Sequence, residues 1–137
     1  MIRIISKEKA RKVLTERTKK VTNIDFEDVI DQKEKIKQKF KNNGPLQKFI
    51  DDLKLMYSLI IDYKNKVYKE IPVWTISAII AALIYVLSPI DLIPDFIFGL
   101  GYIDDGLIVA ACLNMIEKDL EKYKEWKKNN IKENSDF

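Results

Sequence analysis

The sequence predicts an all-α protein of four to five helices, built around a central apolar helical hairpin whose arms are joined by a Pro/Gly/Asp-rich turn. Three observations predict this class. Only four Gly and four Pro occur among the 137 residues, which disfavours a fold of short strands and tight turns. Apolar residues recur at three- and four-residue steps, as in amphipathic helices. Residues 71–90 contain no charged residue, which is typical of a helix with apolar neighbours on all sides.

Residues 1–45 are expected to form a basic, helical N-terminal extension. Ser6 can cap a first helix, and Asp25 is placed to cap a second helix over roughly 26–42. The Asn-Asn-Gly-Pro sequence at 42–45 then ends one helix and begins the next. Gly suits the position after a helix, and Pro suits the first helical turn.

Residues 46–127 are expected to form the main helical domain, followed by a polar tail at 128–137. Its first helix carries an apolar stripe at helical spacing, made of Leu46, Phe49, Ile50, Leu53, Met56, Tyr57, Ile60, Ile61, Val67 and Tyr68. The uncharged 71–90 segment forms the next helix. The last helix, over 103–127, is apolar in its first half and amphipathic in its second.

The two apolar arms suit either a protein core or a bilayer. The first, 72–88, would extend about 26 Å as a helix, close to the roughly 30 Å of a hydrocarbon layer. The second, 106–116, would extend about 16 Å and cannot span alone. A single span, a shallow re-entrant hairpin and a soluble bundle therefore all remain. Lysines flank both arms, and in a membrane they would keep both termini cytoplasmic: Lys64, Lys66, Lys69, Lys118, Lys122 and Lys124.

The composition excludes several kinds of site. The chain has no His and a single Cys, Cys112. An internal disulfide, a Ser–His or Cys–His nucleophile pair and most zinc sites are therefore excluded. We expect no secretory signal, because the apolar stretch at the N-terminus is short and charges follow it at once.

The charge is distributed unevenly along the chain. Residues 1–70 contain 18 Lys and Arg against 11 acidic residues, a net charge of +7. Residues 71–137 contain 6 against 10, a net charge of −4. Within 71–116 all the charges are aspartates. The first half is thus basic, and the middle of the chain is apolar with a few carboxylates.

Residues 88–105 are predicted to form a turn of fixed shape between the two arms. Pro89 and Pro94 fix φ near about −65° and restrict the residues before them. Gly99 and Gly101 permit positive φ or a close approach of the backbone. These four residues are the candidate turn-shaping positions.

The aspartates of this turn, Asp91, Asp95, Asp104 and Asp105, are a candidate metal or partner site. Some can cap helix starts, yet four acids without a nearby cation exceed what capping needs. All-oxygen ligands suit Mg²⁺, Ca²⁺ or Mn²⁺. Lysines of the basic half, in this chain or another, are the alternative partners. An enzyme is not expected, since no phosphate-binding Gly-rich loop or activated nucleophile accompanies the acids.

The basic N-terminal segment offers candidate contacts to phosphate or lipid headgroups at Lys12, Arg17, Lys19 and Lys20. A solvated helix face is the simpler interpretation of such a run. Interleaved acids and the lack of exposed aromatic residues for base stacking argue against specific nucleic-acid binding.

The segments Tyr-Val-Leu-Ser-Pro-Ile-Asp-Leu-Ile-Pro-Asp-Phe-Ile at 85–97 and Gly-Tyr-Ile-Asp-Asp at 101–105 strongly resemble the YkvA-like family, domain of unknown function 1232. The resemblance covers roughly 46–117. Phe98 stands where a proline is common, and Gly106 where an aliphatic residue is common. The resemblance implies a helical hairpin often regarded as membrane-associated, and it implies no established activity.

The expected function is that of a non-enzymatic, membrane-associated helical domain whose Asp-rich turn organises the hairpin and binds a cation or a partner. A soluble helical-bundle interaction protein, in the cytoplasm, is the first alternative, and a metal-dependent enzyme using the aspartates is the second. Expected partners are membrane lipid and a protein, either another protein or a second copy of the chain.

Overall fold

The computed structural model describes residues 2–87 and 105–130 of the chain, and every regular element in these ranges is an α-helix. The all-α prediction is therefore confirmed. The helices are α1 Ile2–Thr18, α2 Asn23–Asp31, α3 Lys33–Asn42, α4 Gly44–Gln47, α5 Ile50–Lys64, α6 Val73–Leu87, α7 Asp105–Met115 and α8 Glu117–Asn130.

The described residues contain eight helical segments, rather than the four to five expected, because predicted helices break at one or two residues. Gln32, with φ −96° and ψ 20°, separates α2 from α3. Phe49, with φ −100° and ψ 10°, precedes α5, and Ile116 separates α7 from α8. Hydrogen bonds still bridge the last break, since Ile116 N–H donates to the Cys112 carbonyl at 3.0 Å. Apolar periodicity continues through such breaks, so the sequence pattern does not reveal them.

The start of α2 is one helical turn earlier than predicted. Thr22, not Asp25, is the N-cap, and its hydroxyl accepts the Asp25 backbone N–H at 3.2 Å. Asp25 Oδ2 in turn accepts the Thr22 backbone N–H at 3.0 Å. This reciprocal capping box satisfies two backbone donors that would otherwise be unpaired.

The uncharged helix α6 lies at the centre of the bundle. Helices α1, α2, α3 and α7 pack against it. Its buried residues face every direction around the helix axis, including the run Ala78–Leu83 together with Tyr85 and Val86. Protein neighbours therefore cover the apolar surface of α6 beyond its first two residues, Val73 and Trp74, which are exposed. Within the described ranges, no helix combines the length and the hydrophobicity needed to cross a membrane.

Helix α7 runs antiparallel to α6. Cys112 Sγ lies 3.6 Å from the Ala78 carbonyl oxygen, and Thr75 Oγ1 donates to Asp119 Oδ2 at 2.5 Å. Residue numbers therefore increase along α6 in the direction in which they decrease along α7 and α8, which is the antiparallel arrangement. Helix α5 packs on α3 and α8 and completes the bundle.

Helix α5 ends sooner than the apolar stripe suggested. The helix stops at Lys64, and Val67, predicted to belong to its core face, is 57% exposed. Tyr68 is buried as predicted, but it reaches the core from the loop 65–72 rather than from a helix.

Candidate functional site

The turn-shaping residues Pro89, Pro94, Gly99 and Gly101 and the aspartates Asp91, Asp95 and Asp104 lie outside the described residues. Asp105 begins α7, but its side chain is likewise outside them. The predicted shape of the turn and its metal or partner site therefore stay predictions.

One lysine of the basic half lies where the first apolar arm ends. Lys39 Nζ donates to the carbonyl oxygens of Val86 at 3.0 Å and Leu87 at 3.2 Å. These carbonyls belong to the last turn of α6 that the structure describes. The ammonium group of α3 therefore binds the end of α6 that leads into the Asp-rich segment.

The four basic residues proposed as headgroup contacts differ in their surroundings. Arg17 Nη2 pairs with Asp25 Oδ2 at 2.9 Å, and both side chains are 17% exposed, so this guanidinium ties the end of α1 to the start of α2. Lys19 is exposed and pairs with Glu16 at 3.2 Å. Lys12 and Lys20 are exposed. Their role as headgroup contacts stays a prediction.

A second surface, not singled out from the sequence, lies at the end of the bundle where α5 passes into α6. The four exposed large apolar side chains among the described residues are Ile24, Val67, Val73 and Trp74. Three of them lie in or directly after the loop 65–72, where Lys66, Lys69 and Glu70 are exposed, and Lys64 is exposed at the end of α5. We call the following residues the Trp74 surface: Ile24, Lys64, Lys66, Val67, Lys69, Val73 and Trp74.

Helix α2 joins this surface through an ion pair. Lys64 Nζ lies 3.9 Å from Glu27 Oε1, which brings the first turns of α2 beside the end of α5. Ile24 is three residues before Glu27, so both lie on one side of α2. Ile24 is 73% exposed and extends the apolar part of the surface.

The loop that carries this surface has a defined backbone. The N–H of Val67 donates to the Asp62 carbonyl at 2.9 Å, and the N–H of Lys66 donates to the Tyr63 carbonyl at 3.1 Å. Lys66 has φ 61°. This is a Schellman motif, in which the left-handed position is usually glycine because other residues are strained there. The chain instead places a lysine at the tip of the loop.

An aromatic cluster fixes the loop against α8. The Tyr68 ring lies 5.0 Å from that of Tyr123 and 4.9 Å from that of Trp126, centroid to centroid. Tyr123 OH donates to Asp62 Oδ2 at 2.6 Å, which leaves Ser58, 2.5 Å away, to donate to Tyr123. Lys127 Nζ pairs with the same Asp62 oxygen at 3.2 Å. Through Tyr68 and Asp62, these contacts hold the loop that carries Val67 and Lys69 against α8.

The phenols of this region stay protonated over a wide pH range. Burial, and then the hydrogen bond to Asp62, raise the pKa of Tyr123 far above its usual value. Burial alone does the same to the pKa of Tyr57, whose hydroxyl donates to the Val29 carbonyl at 2.7 Å. Such hydroxyls act as structural donors rather than as acids or bases.

The described residues do not assemble a reactive centre. Burial raises the pKa of Cys112 to about 12, so its thiol is inert at neutral pH. Over residues 2–87 and 105–130, no group of three or more Cys, Asp or Glu side chains is arranged to hold a metal ion. What the Trp74 surface offers is binding, through rigid apolar side chains among lysines.

The sequence contained a signal for this surface that the helix pattern obscured. By position, the three lysines before the apolar run resemble the flanks of a membrane arm, and by spacing Val67 fits a core stripe. Trp74 sits one residue after Val73 at the very start of α6, where the chain emerges from an exposed loop. A Trp at the edge of a lysine-rich loop is the pattern of an interfacial anchor.

Comparison with known proteins agrees with the motifs. The family model described as "Protein of unknown function (DUF1232)" matches residues 75–111, which include most of α6, the Asp-rich segment and the first part of α7. The "Uncharacterized membrane protein YkvA" of Bacillus subtilis (strain 168) is 33% identical over 81 residues, which are 59% of this chain and 76% of that protein. No solved structure matches the chain. On this identity and coverage, the chain belongs to the YkvA-like family of proteins of unknown function (DUF1232).

Proposed function

We propose that this protein is a non-enzymatic helical domain that attaches to the surface of an anionic membrane through the Trp74 surface. The observation that carries the proposal is the exposure of Val67, Val73 and Trp74 in and directly after the loop that carries Lys66 and Lys69. Ile24 is exposed three residues before Glu27, whose carboxylate pairs with Lys64 at the end of α5. Similarity to a relative that is described as a membrane protein also supports membrane attachment.

The chemistry of the Trp74 surface suits a lipid interface. Tryptophan favours the headgroup level, where its ring is apolar and its N–H finds water or carbonyl partners. Each Lys close to an anionic leaflet contributes about 1 kcal/mol. The pairing of Lys64 with Glu27 costs little to break on membrane binding, because an exposed ion pair at 3.9 Å is weak in water.

In this proposal α6 is a structural core and the lipid contact is made elsewhere. Helices α1, α2, α3 and α7 already cover α6, so moving it into lipid would require the bundle to open. Attachment through the rigid end of the bundle requires no such change.

The Asp-rich segment is proposed to have a role distinct from lipid binding. Helices α6 and α7 are antiparallel and consecutive, as a hairpin requires, and Lys39 caps the end of α6. We propose that residues 88–105 organise the hairpin, and that Asp91, Asp95, Asp104 and Asp105 bind a divalent cation or a basic group. A rise in melting temperature with Mg²⁺, Ca²⁺ or Mn²⁺ that Asp91→Asn abolishes would support the cation.

The membrane proposal is tested by sedimentation with vesicles. The protein should co-sediment with phosphatidylserine–phosphatidylcholine vesicles, bind phosphatidylcholine alone weakly, and be released by high salt. Replacing Lys66 and Lys69 by Gln should lower the affinity about tenfold or more, since two contributions of about 1 kcal/mol are lost.

The matched control replaces two exposed lysines of α3, Lys35 and Lys41, by Gln. It removes the same charge at a distance from the Trp74 surface and should retain most of the binding. Equal losses in both double variants would mean that binding depends on net charge alone. Absence of binding to either kind of vesicle would contradict the membrane proposal and favour the alternative, a soluble interaction protein.

A further inference from the structure

Helix α7 lies partly at the surface but lacks the polar face of a surface helix. Residues 106–116 contain no charged side chain. Ala110 and Asn114 are nevertheless exposed, and Leu113 is half-buried. A helix without charges on its outward side usually has a partner over it. Arg11 of α1 lies 3.5 Å from Asn114 on this side, whereas Ala110 and Leu113 present an uncharged surface toward α5.

This face forms one wall of a groove of about 400 Å³ between α5 and the α7–α8 pair. Leu55 reaches the groove from α5, while Leu113 and Leu120 reach it from the opposite side. The lining extends from Ala110 to Lys124, a helical rise of roughly 21 Å. The groove is thus elongated along α7 and α8, and aliphatic, amide and charged side chains line it together.

The charges along the groove are mostly negative. Among the described residues that line it, the carboxylates are those of Asp52, Glu117 and Glu121, and the cation is Lys124. Burial, followed by the charge of neighbouring Asp51, raises the pKa of Asp52, and Lys124 opposes this only in part. A cation brought into the groove would relieve this repulsion.

We propose that this groove binds a basic amphipathic helix of a protein partner. An amphipathic helix fits an elongated groove between helices, with its apolar side chains against the leucines. Its lysines or arginines would meet the three carboxylates. Anionic lipid is disfavoured by the same carboxylates, so the groove and the Trp74 surface have different ligands, and this inference does not depend on the membrane proposal.

The test uses a fluorescein-labelled synthetic peptide of Leu and Lys at helical spacing, titrated with the full-length protein without vesicles. We expect saturable binding with one peptide per chain, together with NMR shift changes in α5, α7 and α8. Two control peptides, one with Glu in place of Lys and one with the same composition in scrambled order, should bind much more weakly.

The variants separate the groove from general charge attraction. Asp52→Asn combined with Glu121→Gln should weaken peptide binding about tenfold or more, as expected when two charge pairs are lost at an interface. Ala110→Trp should block the groove by volume while leaving the charges unchanged. The matched control, Glu8→Gln with Glu34→Gln, removes two exposed acids from α1 and α3 and should leave binding nearly intact.

Several outcomes would overturn the proposal. One is an equal loss of binding in the control variant. Another is tight binding of the scrambled peptide. A third is a short alkylamine that binds at the same residues with the same affinity as the peptide. Melting curves of each variant establish that it is folded. Lys66→Gln with Lys69→Gln should leave peptide binding unchanged, which keeps this test separate from that of the membrane proposal.

Discussion

Lys66 is the residue whose conformation bears most directly on function. Its φ of 61° costs a non-glycine residue about 1–2 kcal/mol relative to a right-handed conformation. Strain of this kind often marks a position where the side chain is needed. In the membrane proposal, the side chain is needed as a cation at the tip of the loop.

Replacing Lys66 by Gly should therefore stabilise the fold and weaken membrane binding. The relief of strain, less the entropy that Gly loses on folding, should raise the free energy of unfolding by about 0.5–1 kcal/mol. Urea titration measures the stability and vesicle sedimentation the affinity. Asn65, with φ −83°, is the control, because Asn65→Gly relieves no strain and should not stabilise. A Lys66→Gly protein that binds vesicles as tightly as the wild type would contradict the role given to this lysine.

The raised pKa values of Tyr57 and Tyr123 imply that the free energy of unfolding depends on pH in the alkaline range. Their pKa values are raised in the folded protein, whereas in the unfolded chain they are about 10. Stability is therefore complete below pH about 10 and falls as the pH rises above it, since the unfolded state loses protons first. Urea midpoints measured across this range should fall, and Tyr57→Phe should make the fall shallower. A flat profile would show that these phenols ionise equally in both states.

At the scale of the element, Lys39 links α3 to the end of α6. Lys39→Met keeps the aliphatic stem but removes the ammonium that contacts Val86 and Leu87. The loss of these charge-assisted bonds at a helix C-terminus should cost about 1–2 kcal/mol. Lys35→Met, at an exposed position of the same helix, should change stability by less than about 0.5 kcal/mol. Equal stability of the two variants would mean that the cap contributes nothing.

The helices themselves were largely predictable, because burial against a common core imposes a period that survives in the sequence. The fully apolar α6 and the Asn-Asn-Gly-Pro boundary between α3 and α4 are direct examples. The break at Gln32 and the cap at Thr22 were not predictable by the same means. A break of one residue leaves the apolar period intact, and Asp25 is acceptable both as N-cap and three residues after it.

The candidate site was less predictable than the helices. Val67 fits the apolar stripe of α5 by spacing, but the Schellman motif formed with Asp62 and Tyr63 ends the helix and turns this side chain outward. Only three-dimensional structure places Ile24 of α2 near the same loop, through the pairing of Glu27 with Lys64. Spacing along one helix contains no information on such contacts between helices.

At the scale of the whole molecule, α6 forms the core of a helical bundle. Leu83 is fully buried, so Leu83→Ala should lower the free energy of unfolding by about 2–5 kcal/mol. Val67, at 57% exposure, is the control, and Val67→Ala should cost less than about 0.5 kcal/mol. Both are measured by urea unfolding without detergent. A small effect of Leu83→Ala, or a protein that folds only in detergent, would contradict the bundle.

In the proposed mode of attachment, the protein contacts lipid through the Trp74 surface while α6 stays inside the bundle. Two Trp occur in the chain, so Trp126→Phe leaves Trp74 as the single reporter once its fold is verified by melting. We expect phosphatidylserine-containing vesicles to shift the Trp74 emission to shorter wavelength. Lipids brominated near the headgroup should quench it more strongly than lipids brominated near the chain end. Unchanged emission from Trp74 in a protein that remains bound to the vesicles would contradict the claim.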